Sequence, residues 1–196
     1  MLRGIQLKTE DSNFEPFAKD LWMKQVGIPL ILTFKLDAFS QDRLDNWRQQ
    51  YFPPARNHLK AHLTIYHQLP GQNIKEISET LQAFVLTHSA IALRFSHLIT
   101  RAGFVGVAIE SAELVEARAK LSRLFGSTLR AQDKQPYRPH VTITNLGSPK
   151  EAEKCMADLE SVFGSWNAQA EGLELFQYRN GPWDFAEHFP FAYSIL

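Results

Sequence analysis

Cysteine is almost absent. Cys155 stands alone in 196 residues, which excludes an internal disulfide framework and any cysteine-built metal cluster. Charge of neither sign is in excess, with 21 Lys and Arg against 21 Asp and Glu, so no global positive field exists to hold a long duplex by counterion release. A nucleic-acid ligand of such a chain is expected to be short, or gripped locally. Long apolar runs are missing too. No stretch is apolar for long enough to span a bilayer, and none follows the first basic residue, so a reducing cytoplasm is the expected location. The sequence also lacks His-Glu-x-x-His, an aspartate cluster of the kind that binds paired metals, a Gly-rich phosphate loop and a Gly-x-Ser-x-Gly elbow. These absences exclude the zinc-peptidase, two-metal, P-loop and serine-hydrolase signatures.

What is present is 44% hydrophobic and 21% charged residues in a chain long enough to bury a sizeable core. Phe14, Phe17, Ala18, Leu21 and Trp22 recur at helical spacing and predict an amphipathic helix over 14–26, ended by Gly27 and Pro29. Leu30, Leu32, Phe34 and Leu36 alternate as a strand with one buried face. Ser40 is expected to cap a helix bearing Leu44, Trp47 and Tyr51, which stops at Pro53-Pro54. A strand at His62 follows. Asn73 with Glu76 resembles a capping box for a helix carrying Ile77, Leu81 and Phe84. Residues 90–101 alternate again, with Ile91, Leu93, Phe95 and Ile99 on one face and His97 in their row.

The order then repeats. A strand over 104–110 leads to a helix capped by Ser111, a polar loop over 126–139, a strand at His140, and a helix opened by Ser148-Pro149-x-Glu151. A strand over 167–178, a turn at Asn180-Gly181-Pro182 and an aromatic tail from Trp183 to Tyr193 complete the chain. Matching element order implies a duplicated α/β (α+β) fold in one bilobal domain. Residues 1–27 form an extension, 28–102 the first repeat, and 103–196 the second repeat with the C-terminal segment. A pseudo-two-fold arrangement of the repeats lines one cleft with the two histidine strands.

Those strands carry the chemistry. His62-Leu63-Thr64-Ile65 and His140-Val141-Thr142-Ile143 share one pattern, and on a strand His and Thr point one way while the apolar residues point the other. Imidazole titrates near pH 6.5, so one histidine can accept a proton while the other donates one. That division suits in-line displacement at phosphorus, with Thr64 and Thr142 donating hydrogen bonds to the non-bridging oxygens. The bland alternative is a pair of satisfied histidines at strand starts beside β-branched strand formers.

On these motifs, with Arg138-Pro139 before the second and the internal duplication, the chain resembles the two-histidine (2H) phosphoesterase superfamily, near its 2′-5′ RNA ligase and cyclic phosphodiesterase branch. The resemblance covers roughly residues 28–193. It implies a bilobal fold with mainly antiparallel sheets around a central cleft and helices outside. It also implies metal-independent hydrolysis of 2′,3′-cyclic phosphates or 2′-5′ linkages in a nucleotide or RNA end, without cofactor. His62 and His140 are then the acid-base pair, and Thr64 and Thr142 hold the phosphate. Ala61 stands where the second motif has Pro139.

Further substrate-binding candidates are Tyr66, which continues the His62–Thr64 face, Tyr137 and Arg138 just before the second motif, and Phe104. Arg101 is weaker. Phe34 and Phe176 are expected in the core, and His67 on the face opposite His62. A monomer is expected. Two rivals remain open: a binding module of the same shape that recognises a phosphate without cleaving it, and a zinc site, for which neither motif supplies a nearby third ligand.

Overall fold

In the computed structural model, which describes residues 27–145, 147–179 and 181–192, the periodicities become seven strands and four α-helices among the described residues. The helix expected over 14–26 lies outside them. The elements run β1 (Leu30–Leu36), α1 (Ala38–Tyr51), β2 (Leu63–Leu69), α2 (Ile74–Val85), β3 (Ile91–Arg101) and β4 (Phe104–Glu110). They continue through α3 (Ala112–Phe125), β5 (His140–Thr144), α4 (Pro149–Glu160), β6 (Trp166–Tyr178) and β7 (Trp183–Pro190).

Helix starts follow local hydrogen bonding. Ser111 caps α3 by accepting from the Leu114 amide, and Ser148 and Glu151 form the reciprocal capping box of α4. Two expected caps differ. The α1 helix is capped by Asp37, whose Oδ1 accepts from the Ser40 amide at 2.9 Å. Ser40 is fully buried, and its hydroxyl instead accepts from the Trp166 indole at 3.0 Å. Asn73 makes no cap bond, because a 3-10 turn over Gly71–Asn73 already leads into α2 and its amide donates to Glu76 Oε2.

All strand pairs are antiparallel, in the order β2-β1-β6-β3-β4-β5, with β7 also paired to β6. The long β6 joins the two ends of the sheet. Its second half, from Ala170 to Gln177, pairs with β1, while Trp166–Ala170 pairs with β3. Each repeat therefore gives its third strand to the other: β3 lies beside β4, and β6 beside β1. The helices exchange in the same way, with α1 packing on β5 and α3 lying behind β2 through Tyr66. Leu32, Phe34, Leu63, Val107, Val141, Leu173 and Phe189 are all at most 2% exposed and form the helix-covered face of the sheet, leaving the other face to carry the site. β1, central between β2 and β6, is buried on both faces rather than one, with Ile31 5% and Thr33 1% exposed.

Candidate active site

The two motif strands end the sheet order, yet the sheet curls until Cα atoms of β2 and β5 approach within 8 Å. His62 Nδ1 lies 2.8 Å from the Lys60 carbonyl, and His140 Nδ1 lies 2.8 Å from the Arg138 carbonyl. A carbonyl can only accept, so both imidazoles carry a proton on Nδ1 and leave Nε2 outside that contact. The repeat thus extends from sequence to tautomer. Thr64 and Thr142 share the open face with their histidines, and no hydrogen bond among the described residues engages either hydroxyl.

A β-bulge follows each motif threonine. Register shifts by one residue between the Thr33–Thr64 and Leu32–Tyr66 pairs, and again between Gly106–Thr142 and Val105–Thr144. Each bulge turns the next alternate residue onto the helix-covered face. Tyr66 is therefore fully buried rather than continuing the His62–Thr64 face, and its hydroxyl donates to the Arg118 carbonyl in α3 at 2.8 Å. Thr144, at the matching position, is 3% exposed and donates to the Tyr51 carbonyl in α1 at 3.0 Å. Both hydroxyls pin a motif strand to the helix of the other repeat, so Tyr66 is corrected from a candidate substrate contact to a core anchor.

The same bulge carries His67 onto the open face, where its Nδ1 lies 3.2 Å from the buried carboxylate of Asp133. A further bulge between Phe95 and His97 separates His97 and Ile99 from the buried Phe95 row. His97 pairs with Ala108, which in turn pairs with His140.

Two side chains cross-brace the motifs. Tyr137 donates its hydroxyl to the Thr64 carbonyl at 2.9 Å, with the Arg118 guanidinium 4.7 Å from its ring. Burial raises its pKa, so the phenol stays a donor. Arg48, 4% exposed, donates Nη1 to the Thr142 carbonyl at 3.1 Å and Nε to Asn57 Oδ1 and the Leu59 carbonyl, both at 3.0 Å. Its guanidinium also lies 3.9 Å from the Phe52 ring, and burial lowers its pKa to about 10. The carbonyl of each motif threonine is thus held by a group from the other repeat. Tyr137, expected at the substrate, serves beneath the motif. Arg48 is unrecognisable in sequence, where it reads as one more polar residue of α1.

Each histidine also has an aromatic neighbour. The Phe104 ring, a substrate-binding candidate in the sequence, stands edge-on to His140 with centroids 5.7 Å apart and lies so close over Gly106 that a Cβ there would meet its Cζ at 2.7 Å. His62 meets Trp183, with centroids 4.6 Å apart. Desolvation of the half-buried ring, then the nearby Arg48 charge, lowers the His62 pKa to about 4. Trp183 was legible only as part of an aromatic tail. Phe34 is in the core as expected, whereas Phe176 is partly exposed and packs against Trp183 at 5.7 Å. Arg138 is exposed beside His140. Among the described residues no group of three or more His, Cys, Asp or Glu could hold a metal ion, and no helix is long and apolar enough to cross a membrane.

No curated protein matches this sequence. Among solved structures, TT0787 of Thermus thermophilus superposes with a TM-score of 0.58 at 13% identity, over 85% of this chain and 100% of that one. A structure described as a phosphoesterase gives 0.54 at 16% identity, over 84% and 98%. E. coli LigT complexed with 3′-AMP gives 0.51 at 16% identity over the same shares. These likenesses show the fold. The model of the 2′-5′ RNA ligase superfamily matches residues 36–182, which span both histidine motifs and well over half the chain, and so the chain belongs to the 2′-5′ RNA ligase superfamily of 2H phosphoesterases.

Proposed function

We propose that this member is a metal-independent phosphodiesterase that hydrolyses a 2′,3′-cyclic phosphate, or a 2′-5′ linkage, in a nucleotide or RNA end. The observation that carries the reading is the doubled tautomer lock: two imidazoles at the starts of β2 and β5, each with Nδ1 bound at 2.8 Å and Nε2 bare, each beside an unengaged threonine hydroxyl. In the free protein His62 is neutral near pH 7, which suits it to take a proton from the attacking water as the oxygen–phosphorus bond forms. His140 acts from its cationic form, with a second proton on Nε2, and delivers that proton to the departing ribose oxygen as its bond to phosphorus breaks; the proton taken up by His62 leaves to solvent, and His140 regains one, before the next turnover. Thr64 and Thr142 donate to the non-bridging oxygens, where negative charge builds. Arg138, exposed before β5, is the proposed cation for the incoming phosphate, and Phe104 fixes the His140 ring from the side.

The test is turnover in excess chelator of a panel of 2′,3′-cyclic nucleotides and short RNAs with cyclic ends or 2′-5′ linkages, with His62→Ala and His140→Ala in parallel. Wild-type turnover that survives the chelator and falls by about 10²-fold or more in each variant, with unchanged melting behaviour, supports the reading. Activity retained in either variant overturns it. Nucleotide binding without turnover on any substrate assigns the cleft to phosphate recognition instead.

A further inference from the structure

The open face carries a groove of about 440 Å³ that His62 helps to line and whose other walls take no part in the acid-base chemistry. The β6–β7 hairpin brings Trp183, Phe176 and Phe185 to one wall, with Phe176 5.7 Å from Trp183 and 5.8 Å from Phe185 between ring centroids. Phe185 leaves 60% of its surface exposed, unusual for so large an apolar ring. The other wall is the start of α1 and the segment leading to His62. The groove's charges balance: Lys35 and Lys60 face Asp42 and Glu174, and both lysines already reach carboxylates, Glu171 at 2.9 Å and Asp45 at 4.0 Å. With those charges balanced, the groove offers no excess positive charge to a second phosphate. A flat, neutral, partly polar ring finds aromatic faces to stack on and carboxylates for its amino edges.

We infer that this groove is the nucleobase subsite, in which Trp183 stacks on the base of the nucleoside that carries the reacting phosphate at His62. The inference rests on the phosphodiesterase reading for the position of the phosphate, but stacking is measurable without turnover. The volume lies within the range of small-ligand pockets and leaves room for a nucleoside. Because every base has a π-face, the site grips any base, and the carboxylates of Asp42 and Glu174 favour those with exocyclic amino groups. Trp183 is thus assigned as a specificity residue that separates nucleotides from other phosphate esters.

The experiment is calorimetric titration of wild type, Trp183→Phe and Trp183→Ala with 3′-AMP, ribose 5-phosphate and inorganic phosphate, with melting curves as the folding control. Wild type is expected to bind 3′-AMP roughly 10- to 100-fold more tightly than ribose 5-phosphate, Trp183→Ala to lose most of that ratio, and Trp183→Phe to keep most of it. Because Trp183 also packs on His62, affinity for inorganic phosphate is read in each variant as the baseline, and in Trp183→Ala 3′-AMP affinity falls by more than phosphate affinity does. Equal affinity of wild type for the two esters overturns the inference, as does a Trp183→Ala variant that binds 3′-AMP like wild type or loses phosphate in the same proportion. Trp183-dependent 3′-AMP binding without hydrolysis of 2′,3′-cyclic AMP sustains the groove and removes the phosphodiesterase reading. Hydrolysis with Trp183-independent binding does the reverse.

Discussion

Tyr137 separates two accounts of the site, because a substrate contact and a strut respond differently to loss of one oxygen. Tyr137→Phe keeps the ring beside Arg118 and removes only the hydroxyl that donates to the Thr64 carbonyl at 2.9 Å. The lost bond leaves a partly buried acceptor without its partner, which costs about 1–2 kcal/mol. For a chain of this size that lowers the melting temperature by roughly 2–8 °C. Since the bond ties the second repeat to the strand carrying Thr64, its loss also loosens one motif against the other. Small displacements of reacting groups are expensive, so kcat falls on the order of 10-fold while KM stays near its wild-type value. Thermal melts and steady-state kinetics on one 2′,3′-cyclic nucleotide supply both readouts. A raised KM with unchanged melting temperature refutes the strut and returns Tyr137 to the substrate.

Two further expectations concern the motif residues. Protonating His62 costs more in the folded protein, where its pKa is about 4, than in the unfolded chain near 6.5, so its stability contribution is whole above pH 6.5 and is lost as pH falls towards 4. Urea melts at pH 7 and pH 4.5 should show His62→Asn losing about 1–3 kcal/mol less than wild type across that interval; equal losses would place His62 in a solvated setting. Thr64→Val and Thr142→Val keep the β-branched shape and remove one donor each, so kcat is expected to drop by roughly 10²-fold or more with melting unchanged, and wild-type kcat in either variant ends the phosphate role.

Much of the fold was legible because it rests on local signals. Apolar alternation marked β1 and β4, and Ser148, Pro149 and Glu151 fixed the start of α4 by bonds spanning three residues. Element order also revealed the duplication. The exchange of third strands was invisible, because pairing of β3 with β4 and of β6 with β1 depends on contacts between residues far apart in the chain. Ser40 shows the same limit on a small scale. Its sequence position suits a cap, but a tryptophan indole 126 residues away takes its hydroxyl, and Asp37 caps α1 instead.

The deeper failure of strand alternation lies at the bulges, and there it shapes the motif face. Strict alternation sends Tyr66 to the same face as His62 and Thr64, where a bulky phenol would crowd the two motif side chains. One inserted residue after each motif threonine ends that face after two groups and turns the next hydroxyl backwards. Tyr66 and Thr144 differ in size and chemistry, yet both use that hydroxyl to hold a carbonyl of the helix behind, Arg118 in one case and Tyr51 in the other. The helices so held are α3 and α1, and α1 carries Arg48, which grips Thr142 from the opposite repeat. Each histidine strand is therefore positioned by a helix from the other half of the sequence. A change that spares all four motif residues but frees one of these helices should misplace the motif across the cleft from its own repeat.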